Sequence, residues 1–203
     1  ARAVFRVAKS IDGAAFMFEI ARSEIGYTDQ RPSEYATNIL AAAIAEGYTG
    51  PVFIQGDHFQ VSAKKYVNTP EAELQAVRDL ITESIQAGFY NIDIDTSTLV
   101  DINKPTVAEQ QITNCGLSAM FTAFIRELQP SGILISVGGV IGEVGGHNST
   151  EQELRAYMDG YSHELKNISP NSAGLSKISI QTGTSHGGVV LPDGSIAQVA
   201  VDF

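Results

Sequence analysis

The chain has 203 residues, a net charge of −10 and 43% apolar residues, which suits one domain with its own hydrophobic core. That charge, with no run of Lys or Arg to oppose it, excludes a protein that tracks nucleic-acid phosphates. No apolar stretch approaches the roughly 20 residues of a membrane span, and the opening ARAVFRVAKS lacks the apolar core of a secretory signal. The single cysteine, Cys115, leaves no internal disulfide; it sits in an apolar helical pattern and reads as a buried, inert thiol. A cytoplasmic protein that handles small molecules is expected. The chain starts without Met and stops at Ala200-Val201-Asp202-Phe203, inside what reads as continuing structure, so a fragment of a longer protein is expected too.

Strand and helix signals alternate. Ala14 to Ile20 is a short apolar run of the kind found in buried strands. Arg31 to Gly47 reads as a helix, with Pro32 in its first turn and Gly47 at its end. Pro51 to Gln55 is a second buried strand. Thr69-Pro70-Glu71 starts a helix, and Leu74, Val77, Ile81 and Ile85 give it one apolar face before Gly88 ends it. Tyr90 to Ile94 is a third strand and Val107 to Leu128 a long helix closed by Pro130. Gly132 to Val137 is a fourth strand. Thr150 and Glu153 form a capping box for a helix running to about Leu165. Ser176 to Ile180 is a fifth strand, and Leu191 to Gly194 a turn. This alternation implies βαβ units and a parallel sheet, either an open doubly wound sheet or a barrel.

Polar residues gather where these strands end. The second strand runs into Gly56-Asp57-His58, the third into Asp95-Thr96-Ser97, the fourth into a glycine-rich stretch ending at His147, and the fifth into Gln181 to Gly188 around His186. Both architectures place functional residues at the C-terminal ends of strands. An Asp beside a His can bind a metal or move a proton. Asp93 and Asp95 alternate along a strand and share a face. His147 reads as part of a helix entry and His163 as a surface residue.

At these positions the chain resembles the class II, zinc-dependent fructose- and tagatose-bisphosphate aldolases. Gly56-Asp57-His58 is similar to that family's Asp-His pair, Ile94-Asp95-Thr96-Ser97 to its Asp-x-Ser strand end, Ile141-Gly142 through Gly145-Gly146 to its Leu-Gly-x-x-Gly-Gly element, and Gly183-Thr184-Ser185-His186-Gly187 to its Gly-x-x-His-Gly element. The resemblance implies a (β/α)8 TIM barrel, with residues 1–203 forming a partial single domain that covers roughly strands 2 to 6. It implies Asp57 as catalytic acid/base, His58 and His186 as Zn2+ ligands, and Asp95 in an auxiliary metal set. Gly183 and Gly187 would face substrate phosphate or a monovalent cation, and Ser97 and Glu143 would lie on the substrate side. The implied reaction is aldol cleavage of fructose 1,6-bisphosphate, with zinc as Lewis acid for the enediolate. A phosphorylated ketose substrate and a homo-oligomer, dimer or larger, follow from the same resemblance. Two departures stand out: the family's third zinc histidine would lie beyond Phe203, and Val140 replaces the family's Glu. The alternatives are a tagatose-bisphosphate aldolase, a non-catalytic aldolase-like barrel subunit, and a different phosphosugar barrel or metal hydrolase.

Overall fold

In the computed structural model, which describes residues 1–13, 15–142, 148–182 and 192–194, strands and helices alternate almost throughout. Helix α1 spans Arg2–Ser10, strand β1 Met17–Ala21, helix α2 Arg22–Thr28 and helix α3 Pro32–Ala45. Strand β2 runs Phe53–Gln60, followed by helices α4, Ala63–Asn68, and α5, Pro70–Gln86. Strand β3 is Asn91–Asp95, helix α6 Val107–Leu128, strand β4 Ser136–Val140, helix α7 Glu151–Ile168 and strand β5 Lys177–Ser179.

Local chemistry explains the helix starts. Helix α5 begins with Pro70 and carries Glu71 and Glu73 in its first turn, where the missing N–H costs nothing and the helix dipole favours acid. Helix α7 opens on a reciprocal box: Thr150 Oγ1 accepts from the Glu153 backbone N–H at 3.2 Å, and Glu153 Oε2 accepts from the Thr150 N–H at 2.6 Å. Thr106 and Glu109 repeat the device on α6.

The five strands are all parallel and lie in the order β1-β2-β3-β4-β5. This corrects the expected eight-stranded barrel: among the described residues the sheet is open, with β1 and β5 at its edges. Alternating strand and helix signals are common to open and closed sheets, so periodicity alone could not decide. The order also never reverses, so the switch point of a doubly wound sheet is absent from the described residues.

One face of the sheet is apolar. Ile20, Ile54, Ile92, Ile94 and Val137 pack with Phe5, Ile39, Val77, Ile81, Phe121 and Ile125 from the helices. A second cluster joins Cys115 and Ala119 of α6 to Tyr157 and Tyr161 of α7. Side chains alternate across a strand, so the residues between those isoleucines face the other way. They are Glu19, Gln55, Asn91 and Asp93, a polar stripe on the face opposite the apolar core.

Candidate functional site

Strand β2 does not stop at Gln55, as its apolar run suggested, but continues to Gln60. Gly56 pairs with Ile92 and Phe59 with Ile94, so three steps on β2 oppose two on β3. This is a bulge of one extra residue. It resets the alternation: Phe59 turns into the core, fully buried, while Asp57 and His58, consecutive in sequence, both reach the polar side. His58 takes φ +40°, the left-handed region that costs a non-glycine residue about 1–2 kcal/mol. Backbone strain of this kind concentrates at functional sites.

His58 is clamped between two carboxylates. Its Nδ1 lies 3.0 Å from Asp95 Oδ2, and its Nε2 lies 3.9 Å from Asp57 Oδ2. The hydrogen bond to Asp95 outweighs the penalty of burial and, with the Asp57 and Asp93 charges, raises the imidazole pKa to about 9. His58 is therefore an imidazolium at neutral pH.

Asp95 is 1% exposed and fully engaged. Its Oδ2 also accepts from Gln60 Nε2 at 2.7 Å, and its Oδ1 accepts from the Ser97 hydroxyl at 2.6 Å and the Ser97 N–H at 3.1 Å. Burial alone would push this carboxyl up, but the bonds from His58, Ser97 and Gln60 prevail and hold it below the usual range. Its acceptor sites are filled, so Asp95 positions its neighbours. Asp57 differs. Its one hydrogen bond among the described residues is a 3.4 Å contact from Gln55 to Oδ1, and its side chain is 24% exposed, so Oδ2 is open to a ligand.

The polar stripe continues beside this clamp. Lys177 of β5 pairs with Asp93 at 3.0 Å, and Gln55 bridges Asp93 and Glu19 at 2.8 and 3.3 Å. Burial first, then the Asp57 charge, pushes both Glu19 and Asp93 up in pKa, and Lys177 and His58 oppose this. A cavity of about 1260 Å³ is lined by Glu19, Arg22, Asp57, His58 and Lys65 among others. A second, of about 320 Å³, is lined by Asp95, Ser97 and Gln181. His58 and Gln60 line both, so the imidazolium stands at the join. Together they offer room for a small polar metabolite.

Four of the expected site residues, Asp57, His58, Asp95 and Ser97, thus come together. Glu143, Gly183, His186 and Gly187 lie outside the described residues, as does His147. His163 is exposed on α7, 3.1 Å from Asn167. Val140, at the end of β4, lines the smaller cavity. Cys115 is buried, and that burial pushes its thiol up to about 11. Glu19, Gln55 and Lys177 escaped the sequence reading. Glu19 and Gln55 are single polar residues in apolar runs and Lys177 opens the short strand β5, signals that are legible only once the strands' faces are assigned.

The expectation of Zn2+, with or without a monovalent cation, is corrected. No group of three or more His, Cys, Asp or Glu among the described residues is arranged to hold a metal ion. Asp95 has every acceptor site engaged by His58, Gln60 and Ser97, which leaves none for an auxiliary ion.

No protein-family model matches the chain, and no curated protein matches it. A solved structure does share its fold: a probable tagatose 6 phosphate kinase from Sinorhizobium meliloti 1021, with a TM-score of 0.65 and 17% identity over 92% of this chain. The match covers 47% of that protein, so the present chain spans about half its length. Identity this low speaks for the fold alone. The aldolase resemblance is corrected on two findings: the fold the chain shares is that of this solved structure, and no group among the described residues is arranged to hold the metal ion that the zinc-dependent lyase reading needs. The aldolase motifs were short runs of Gly, Asp, His and Ser, residue types that collect at strand ends in many parallel sheets. No described helix is long and apolar enough to cross a membrane.

Proposed function

We propose that this chain carries the sugar-binding part of an enzyme that acts on a phosphorylated sugar, transferring a phosphoryl group to a sugar hydroxyl activated by Asp57. The observation that carries this reading is the open Asp57 carboxylate held 3.9 Å from the His58 imidazolium in the cleft. A carboxylate in that position accepts the hydroxyl proton as the sugar oxygen bonds to the terminal phosphorus of a nucleoside triphosphate and the bond to the nucleoside diphosphate leaving group breaks. The imidazolium offsets the negative charge that builds on the sugar oxygen. Glu19, Gln60 and Ser97, which line the cavities, supply the acceptors and donors that a polyhydroxyl ligand needs.

The described site is rich in carboxylates and suits sugar hydroxyls better than a phosphate. On sequence grounds the phosphate is proposed to meet Gly183 and Gly187. The fold relative is described as a probable tagatose 6 phosphate kinase, which makes tagatose 6-phosphate the first substrate to try. Residues 1–203 are taken as one domain, in a cytoplasmic, homo-oligomeric protein.

The test is an assay of the full chain with tagatose 6-phosphate and a nucleoside triphosphate, followed by detection of the sugar bisphosphate. The wild type should form it, and Asp57→Asn should still bind the sugar phosphate but lose about 10²–10⁴ in rate. A full rate in Asp57→Asn would sink the assignment.

A further inference from the structure

Lys177 and Gln55 are 122 residues apart in sequence, yet they meet on the polar face of the sheet. Asp93 of β3 pairs in register with Gly138 of β4, and Gly138 with Lys177 of β5. A Cβ on Gly138 would stand 2.1 Å from Asp93 Oδ1 and 3.0 Å from Lys177 Cε. The missing side chain is what lets the ammonium reach across β4. There it pairs with Asp93 at 3.0 Å and donates to Gln55 Oε1.

An amide side chain has one acceptor oxygen and one NH2 group. With Oε1 held by Lys177, Nε2 must point the other way, toward the carboxylates. It lies 2.8 Å from Asp93, 3.3 Å from Glu19 and 3.4 Å from Asp57. Gln55 is 4% exposed, so bulk water does not compete for these bonds. We propose that Lys177 is a positioning residue for Asp57: it fixes the orientation of the Gln55 amide, whose N–H groups then steer the Asp57 carboxylate within the cleft.

The proposal rests on the reading of Asp57 as the base, so its first test is independent of turnover. In the full chain, Lys177→Met should shift the Gln55 side-chain amide resonances and speed their hydrogen exchange by about tenfold or more. Lys177→Arg should restore the slow exchange. Gly138→Ala should reproduce the Lys177→Met result with the lysine still present, which guards against a variant that merely folds poorly. Unchanged exchange in Lys177→Met would overturn the relay. The second test is kinetic. Lys177→Met should lower kcat by about tenfold with little change in KM, and the double variant with Gln55→Leu should be no slower than Gln55→Leu alone. Additive losses would overturn action through Gln55. If the wild type turns over no sugar phosphate, the assigned reaction falls, while the Gln55 exchange data still decide the relay.

Discussion

The ring of Phe59 fills the space that a side chain on Gly56 would need: a Cβ there would stand 2.3 Å from the ring. The glycine and the bulge are one device. Because Gly56 is bare, Phe59 can fold back into the core, and because Phe59 does so, the extra residue turns both Asp57 and His58 toward the cleft.

Gly56→Ala should therefore destabilise the protein by about 1–3 kcal/mol, the usual cost of overpacking. Urea denaturation would show this as a lower midpoint at unchanged slope. Adding Phe59→Leu should recover part of the loss, because the smaller side chain vacates the contested space. An additive double variant would show that the two residues do not share that space.

Arg22 and Glu73 anchor the same end of β2. Glu73 is 3% exposed; it accepts from Arg22 at 2.6 Å and from the Ser62 N–H at 2.8 Å. Arg22 also donates to the Gln60 carbonyl. Arg22→Met leaves a buried carboxylate without its cation and should cost about 3–5 kcal/mol. The double variant with Glu73→Leu should be distinctly more stable than Arg22→Met, a comparison that thermal unfolding can make.

His58 gives the site a pH dependence with a definite sign. Its folded pKa of about 9 lies above the ordinary 6.5, so the stability it adds is present in full below about 6.5 and is lost as pH rises through 9. The half-exposed ring is screened, which limits this contribution to about 1 kcal/mol. Asp95, shifted the other way, adds stability above the ordinary carboxylate range that is lost on acidification. An NMR titration should find the His58 midpoint near 9, and Asp95→Asn should lower it. A midpoint unmoved by Asp95→Asn would contradict the clamp.

A chain of buried hydroxyls supports the end of β3. Tyr157 donates to Ser118 at 3.1 Å, Ser118 lies 2.9 Å from Thr96, and Thr96 donates to Asn114 Oδ1 at 2.6 Å. All four residues are buried. Tyr157→Phe removes one hydrogen bond and should cost about 1–2 kcal/mol, measured by chemical denaturation. No loss would show that the tyrosine serves by packing alone.

Much of the architecture was legible in advance. Helix α6 falls on Val107–Leu128 as its apolar pattern and Pro130 implied, and the Thr150–Glu153 box marks the start of α7. The misreadings have physical causes. Helix α2 was missed because Arg22–Thr28 buries only Ile25 and carries no apolar face to detect. The fourth strand was placed too early because Gly138 and Gly139 look like loop residues. They are in fact strand residues without room for a side chain, Gly138 beneath the Asp93–Lys177 pair and Gly139 against Tyr157. Asp57, His58, Asp95 and Ser97 were found because they sit at strand ends, where polar residues stand out. The metal roles expected of His58 and Asp95 are the part that is corrected, because in sequence a histidine near carboxylates reads the same way whether it binds a metal or carries a proton. Only the distances show that both ring nitrogens of His58 face carboxylates.

The reach of Lys177 across Gly138 has a consequence for how the protein assembles. As the chain leaves the ribosome, Glu19 and Asp93 both emerge well before Lys177. In a nascent sheet of β1 to β4, burial and the neighbouring carboxylates push both acids up in pKa without the lysine charge that opposes this. Docking of β5 then supplies that charge and favours the ionised forms of this pair. Completion of the sheet and proton release from Glu19 and Asp93 become coupled, so a truncated chain lacking β5 should reach much of its helical content without an ordered cleft.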